Sequence, residues 1–195
     1  MSKSFRKGSA VKKLVPKVIH SSPLRVNIPA GMANAKPPLG SQLGQRSINI
    51  ANFCKEFNQR TENIKTGIPL PCRVKVKADG TYDLVIHKPP ATYFLKQAAG
   101  IEKARAIPNE TAGKITFKHL YEIALIKSVD PPLELMTLPQ ICQMLVGIAR
   151  TCGIEIVKTL DPVEHAEFMK QREENLQNFL KELQENKSNK MLREV

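Results

Sequence analysis

Along the chain, hydrophobic and polar positions change period several times, and each change marks an element. Arg25, Val26, Asn27 and Ile28 place an apolar side chain at every second position, the spacing of a short half-buried strand. Residues 29–44 then lose all periodicity and are rich in Gly and Pro, which predicts a loop rather than a long regular element. Ile48, Phe53, Phe57 and Ile64 recur among polar residues, with Asn49 and Asn52 available as caps, and predict an amphipathic helix over 47–64. Residues 67–71 (GIPLP) end that helix. Val74 and Val76, then Asp79-Gly80, then Tyr82, Leu84 and Ile86 describe two alternating strands about a two-residue turn. Asp-Gly supplies the positive φ angles of a type I′ hairpin, and Lys75 and Lys77 fall on its solvated face.

Lys88-Pro89-Pro90 is a stiff linker, because consecutive prolines hold extended geometry. A short helix is predicted over 91–99, followed by a polar loop at 100–113 that holds Lys103 and Arg105, with Lys114 just beyond it. Thr116 caps a helix over 117–128 carrying Leu120, Ile123, Ala124 and Ile126, and Asp130-Pro131-Pro132 stops it. Thr137 followed by Gln140 has the spacing of a capping box and opens a helix over 138–152. Its apolar stripe reads Ile141, Leu145, Ile148 and Cys152, leaving Gly147, Arg150 and Thr151 largely off the stripe. Gly153 ends the helix, and 154–157 reads as a short strand. Asp161, Pro162 and Glu164 start a last helix over 163–186 with Met169, Leu176, Phe179, Leu180 and Leu183 among many charges. Either it is an exposed extension or it binds a partner.

These elements give an α+β chain of two small domains plus appendages. Residues 1–24 form a basic leader, 25–87 an N-terminal α/β domain with a β-hairpin, 88–90 the linker, 91–157 a C-terminal helical domain with short strands, and 158–195 a charged helical extension. At 42% hydrophobic the chain can bury cores, and with 5% aromatic residues and no Trp those cores are mainly aliphatic. No apolar run approaches the ~18 residues that cross a bilayer, so no membrane is expected as a partner.

Charge sharpens the picture. The net charge is +12, and residues 1–55 hold ten Lys or Arg and no acid; the first is Glu56. Residues 56–157 carry thirteen basic and ten acidic residues, and 158–195 carry seven and eight. The leader, with Lys3, Arg6, Lys7, Lys12, Lys13 and Lys17 among serines, has the composition of a mitochondrial transit peptide, or of a basic arm lying on RNA. The four cysteines form no C-x-x-C pair and have no His at zinc-ligand spacing, so no metal or cofactor is expected and the thiols are read as free and mostly buried.

Catalysis finds little support. The four histidines stand in four contexts, there is no G-x-S-x-G, H-E-x-x-H or phosphate-binding loop, and no small-molecule substrate is expected. RNA binding fits better. A glycine on the outer side of the 138–152 helix lets backbone approach a phosphate or a shallow minor groove, and RNA is recognised largely by shape. Lys96, Lys103, Arg105, Lys114 and Arg150 are candidates to neutralise phosphates. The bland reading is that Gly147 relieves helix crowding and the charges are merely solvated. The rival from another class is a helix-turn-helix-like DNA-binding regulator using the 117–128 and 138–152 helices, although the second shows few side chains suited to base edges. A protein-interaction adaptor working through 163–186 is a third.

Five segments resemble the bacterial-type ribosomal L-eleven family, in order and at family spacing: 30–44 (AGMANAKPPLGSQLG), 52–58 (NFCKEFN), 67–71 (GIPLP), 88–101 (KPPATYFLKQAAGI) and 147–153 (GIARTCG). The resemblance covers about residues 25–157. It implies a large-subunit ribosomal protein whose C-terminal domain clamps ribosomal RNA of the GTPase-associated centre. Its N-terminal domain would face translational GTPases and stalk-base ribosomal proteins. By position, it implies RNA contacts on the loop after Gly100, including Asn109, on Lys114, and on Gly147, Arg150 and Thr151, and a factor-facing loop with Gly31, Pro37, Pro38, Gly40 and Gly44. Ile148 stands where the family often has Thr or Ser, and Ala35 and Ser41 where prolines are common. A bacterial-type core behind a basic leader implies a mitochondrial location.

Overall fold

The computed structural model describes residues 22–77, 81–107 and 110–193, with side chains to Ser188. The leader before Ser22, the Asp79-Gly80 turn and Asn109 lie outside the described residues. The fold is α+β, with two hydrophobic cores that share no residue.

The first core lies under a three-stranded antiparallel sheet in the order β1 (Leu24–Pro29), β2 (Pro69–Val76), β3 (Tyr82–Ile86). Alternation puts Leu24, Ile28, Leu70, Cys72, Val74 and Leu84 on the buried face. Register pairs Val74 with Leu84 and Val76 with Tyr82, and Lys77 forms an ion pair with Asp83 at 2.7 Å on the open face. Strand β2 begins earlier than the Val74 start the alternation suggested. Pro69 and Pro71 are tolerated because Pro71 need only accept, from the His87 N–H at 2.9 Å.

The helix expected over 47–64 is shorter. Helix α2 spans Ile50–Arg60, capped by Asn49, whose Oδ1 accepts from the Asn52 N–H at 3.2 Å. Ser47 takes a positive φ of 57°, which keeps Ile48 buried but outside the helix, and Thr61 closes the other end through its hydroxyl bond to Phe57 O. Phe53 and Phe57 are fully buried, and truncating either costs about 3–5 kcal/mol. The 29–44 loop contains a six-residue helix, α1 (Leu39–Gly44), that the Gly and Pro content concealed. Its Leu39 and Leu43 reach the core, and a Cβ on Gly40 would overlap the Ala35 carbonyl oxygen.

The second core is enclosed by α3 (Ala91–Ala98), α4 (Phe117–Ser128) and α5 (Leu138–Cys152), with a two-stranded parallel sheet of β4 (Gly113–Thr116) and β5 (Ile154–Val157). Strand β4 lies where only a loop and a cap were expected. Four residues with one large apolar side chain carry no period, and only the pairing Ile115 with Ile156 reveals it. Thr116 caps α4 as expected, and His119 returns the bond by accepting from the Thr116 N–H at 3.4 Å. The box on α5 is also present, with Gln140 Oε1 accepting from the Thr137 N–H at 3.0 Å.

Between the cores the chain is fastened at one end. Lys127 and Asp130, both buried, form an ion pair. The Lys127 ammonium also donates to the Pro89 carbonyl at 3.3 Å, and Asp130 accepts from the Lys88 N–H at 2.7 Å. A buried pair is costly to break from one side, about 3–5 kcal/mol. The linker is therefore tied to the second core, whereas His87 just before it is tied to the sheet through its N–H bond to the Pro71 carbonyl.

The last helix, α6 (Pro162–Arg193), is longer than the 163–186 read from the pattern. Its first turns are docked: Met169 packs on the second core, and Arg172 bonds Glu110 at 3.2 Å and the Lys103 carbonyl at 3.3 Å.

Candidate nucleic-acid interface

Helix α5 has two faces of different chemistry. Ile141, Leu145, Ala149 and Cys152 are buried. The stripe read from the sequence had Ile148 in place of Ala149; Ile148 is half-buried and only flanks the core. Spacing of 4 and 3 fits both residues, and apolar size favoured the wrong one. The opposite face presents Gln143, Gly147, Arg150 and Thr151, all exposed. Nothing lies within 4 Å of where a Cβ on Gly147 would stand, so this glycine does not relieve helix crowding. It leaves bare backbone on an outer surface. Thr151 spends its hydroxyl proton on the Ile148 carbonyl at 2.7 Å, and its oxygen remains a possible acceptor.

The 101–112 loop is laid across the end of this helix. Arg105 N–H donates to the Cys152 carbonyl at 3.0 Å and Ala112 N–H to the Gly153 carbonyl at 2.6 Å. Gly153 has φ +76°, and a Cβ there would stand 2.8 Å from both Arg105 Cβ and the Glu110 carbonyl. Glycine is required twice over, by conformation and by space. The crossing puts Arg105, exposed, beside the turn that carries Arg150 and Thr151.

Glu110 organises the loop. Its Oε2 accepts from the N–H groups of Ala106 and Ile107, each at 3.2 Å, while its Oε1 takes Arg172 from α6. Lys103 is exposed. Lys96, half-buried on α3, turns its ammonium to the Glu102 carbonyl at 3.2 Å and ties the loop's entry. Lys114 sits on β4, with its ammonium 5.0 Å from the Phe168 ring centroid of α6, a cation–π contact. Gly147, Arg150, Thr151 and Arg105 are thus gathered at one end of α5, Lys103 and Lys96 flank them through the loop, and Lys114 is drawn toward the last helix. Glu110, Phe168 and Arg172 were missed by sequence reasoning. One signal was available: Glu110 is one of only two acids in a loop otherwise read as basic.

The second candidate surface is the 31–38 loop. Gly31, Pro37 and Pro38 are exposed, Gly44 is exposed at the end of α1, and Gly40 is buried against Ala35. The loop is held by α2: Asn58 accepts from Ala33 N–H at 3.0 Å and donates to Ala33 O at 3.2 Å, and Thr61 accepts from Gly31 N–H at 3.1 Å. Burial pushes the Cys72 thiol up to about 12, so it carries no thiolate at neutral pH.

Residues 24–82 match the family described as Ribosomal protein L11, N-terminal domain, and residues 87–156 match Ribosomal protein L11, RNA binding domain. The chain belongs to the ribosomal protein L11 family. It is 56% identical over 194 residues to the Large ribosomal subunit protein uL11m of Drosophila melanogaster, covering 99% of each chain. It is 54% identical over 183 residues to the uL11m protein of Caenorhabditis elegans, covering 93% of this chain and 94% of that one. With the Schizosaccharomyces pombe uL11m protein it shares 36% over 135 residues, 69% of this chain and 94% of the relative. The RNA-binding segment of this L11 chain contains the outer face of α5, the loop across its end, Lys96 and Lys114. Helix α6 lies beyond both matched segments. L11 proteins are structural constituents, not enzymes, and membership favours the ribosomal reading over a DNA-binding regulator.

Proposed function

We propose that this chain is a structural component of the mitochondrial large ribosomal subunit that binds large-subunit RNA of the GTPase-associated centre. The curated relatives are uL11m, the mitochondrial form of the large-subunit protein. The observation that carries the RNA reading is the bare backbone at Gly147, open to solvent, with Arg150, Thr151 and Arg105 around it. A flat glycine surface suits the shallow minor groove of folded RNA, and the cations suit its phosphates. DNA bases, by contrast, are read by side chains reaching into a deep groove, whereas the centre of this face is the side-chain-free backbone at Gly147.

In this reading the second core and its loop hold the RNA, while the sheet domain is presented to translational GTPases and stalk-base proteins through the loop of Gly31, Pro37 and Pro38. The Lys127–Asp130 clamp supports a defined joint: the linker rides with the RNA-bound body, and the factor-facing body pivots at His87–Lys88. Binding of the full chain to the folded RNA fragment, against duplex DNA over a salt series, tests the proposal. The expected result is preference for the folded RNA at every salt concentration. Equal affinity for both would reduce the chain to a generic polycation, and preference for a DNA duplex would overturn the reading.

A further inference from the structure

The open face of the three-stranded sheet carries an arrangement that RNA binding by α5 does not use. Arg25 on β1 and Arg73 on β2 are directly opposite in register. Like charges so placed repel and destabilise a sheet, yet neither guanidinium has an acidic partner or a hydrogen bond among the described residues. Both line a cleft of about 490 Å³ at the junction of the two bodies, together with His87, Lys88, Lys127 and Asp130. Asp130 is committed to Lys127 and to the Lys88 N–H. The cleft therefore holds three cations, Arg25, Arg73 and Lys88, with no carboxylate left to balance them.

His87 adds an independent observation. It lines the same cleft, is 8% exposed, and neither ring nitrogen has a hydrogen-bond partner among the described residues. A buried polar group left unpaired costs about 1–3 kcal/mol. A neutral imidazole has one N–H to donate, and here it stands uncommitted beside the arginine pair.

We propose that this junction cleft binds a phosphate group, seated on the Arg25–Arg73 pair with His87 and Lys88 around it. Two guanidinium forks and an ammonium offer more donors than the two oxygens of a carboxylate can take, whereas a phosphate has the oxygens to engage both forks. The cleft volume lies within the ~300–1,000 Å³ of small-ligand sites and is large enough for a nucleotide. Two sources carry this chemistry, a free nucleotide and a backbone phosphate of RNA. Because Arg25 and Arg73 belong to one body and Lys88 to the other, the bound group would bridge the joint and fix its angle. The site is separate from the α5 face.

The test uses the full chain and follows the His87 ring and the Arg25 and Arg73 Nε–H signals by NMR during titration with AMP. In parallel, the salt slope of binding to the folded RNA fragment is measured for wild type, R25S/R73S and K75S. Lys75 lies on the open face outside the cleft and serves as the control for lost charge. A free-nucleotide site predicts joint, saturable movement of the three signals, at least tenfold weaker AMP binding in R25S/R73S, and an unchanged RNA slope. A backbone-phosphate site predicts a slope smaller by between one and two units in R25S/R73S than in K75S. G147E is carried alongside, since loss of RNA binding there reports on the α5 face alone. Circular dichroism and signal dispersion verify the fold of each variant, and R73K, which keeps charge without the fork, replaces the double variant if it misfolds. If AMP moves none of the three signals and the arginine variants match K75S in slope, the cleft binds no phosphate.

Discussion

The two candidate loops, 31–38 and 101–112, are held in place by different means. The 31–38 loop is fixed from within its own body: Asn58 on α2 and Thr61 just past its end bond the loop's backbone directly, and α2 is anchored by Phe53 and Phe57. The 101–112 loop is fixed from two sides, by backbone bonds to the end of α5 and by Arg172 of α6, more than sixty residues along the chain from Glu110. Order in the first loop is a property of its domain. In the second it is shared with a helix that lies outside the matched family segments, and a loop held in that way can be loosened without unfolding the core beneath it.

Four changes break or sharpen that contrast. The largest effect is expected at Gly153→Ala, which combines a left-handed residue with a 2.8 Å approach to Arg105 Cβ and the Glu110 carbonyl; about 2–4 kcal/mol of stability should be lost in denaturant unfolding. Asn58→Ala removes two bonds to Ala33 and should cost about 2 kcal/mol. Hydrogen exchange should then rise in 31–38 and stay unchanged in 101–112. Arg172→Ala should cost about 1–2 kcal/mol, with faster exchange confined to 103–110 and little change in α5. Protection of that loop unaltered in Arg172→Ala would mean that α6 only rests against it.

The smallest effect is pH-dependent. Burial, with help from Arg73 and Lys127 and against the pull of Asp130, holds the His87 imidazole below its ordinary 6.5. Between that depressed value and 6.5 the unfolded chain binds the proton more readily than the folded one. Stability should therefore fall on acidification below pH 6.5 and recover as pH rises through it, and His87→Gln should flatten this part of the profile.

Much of the architecture was legible because its signals are local. Asn49, Thr116 and Thr137 announce helix starts through side chains that bond their own backbone, and alternating apolar residues announce β1, β2 and β3. What escaped was decided by partners distant in the chain. Strand β4 exists because β5 lies beside it, not because GKIT favours a strand. Helix α1 is set by Leu39 and Leu43 reaching the core. Ala149 rather than Ile148 faces the core, a choice that the 4 and 3 spacing left open and that packing against the other helices decides. Of the candidate interface, Gly147, Arg150 and Thr151 could be placed on one outer face from spacing alone. The meeting of Arg105 with that face depends on the crossing over Gly153, and the diversion of Lys114 depends on Phe168, neither of which any period records.

The most direct test is RNA binding by Gly147→Glu in the full chain. The open space above residue 147 accommodates the side chain without strain, so the circular dichroism spectrum and unfolding midpoint should stay close to wild type. A carboxylate on the proposed contact surface should lower affinity for the folded RNA fragment at least tenfold. Wild-type affinity in a correctly folded Gly147→Glu protein would contradict the placement of RNA on this face of α5.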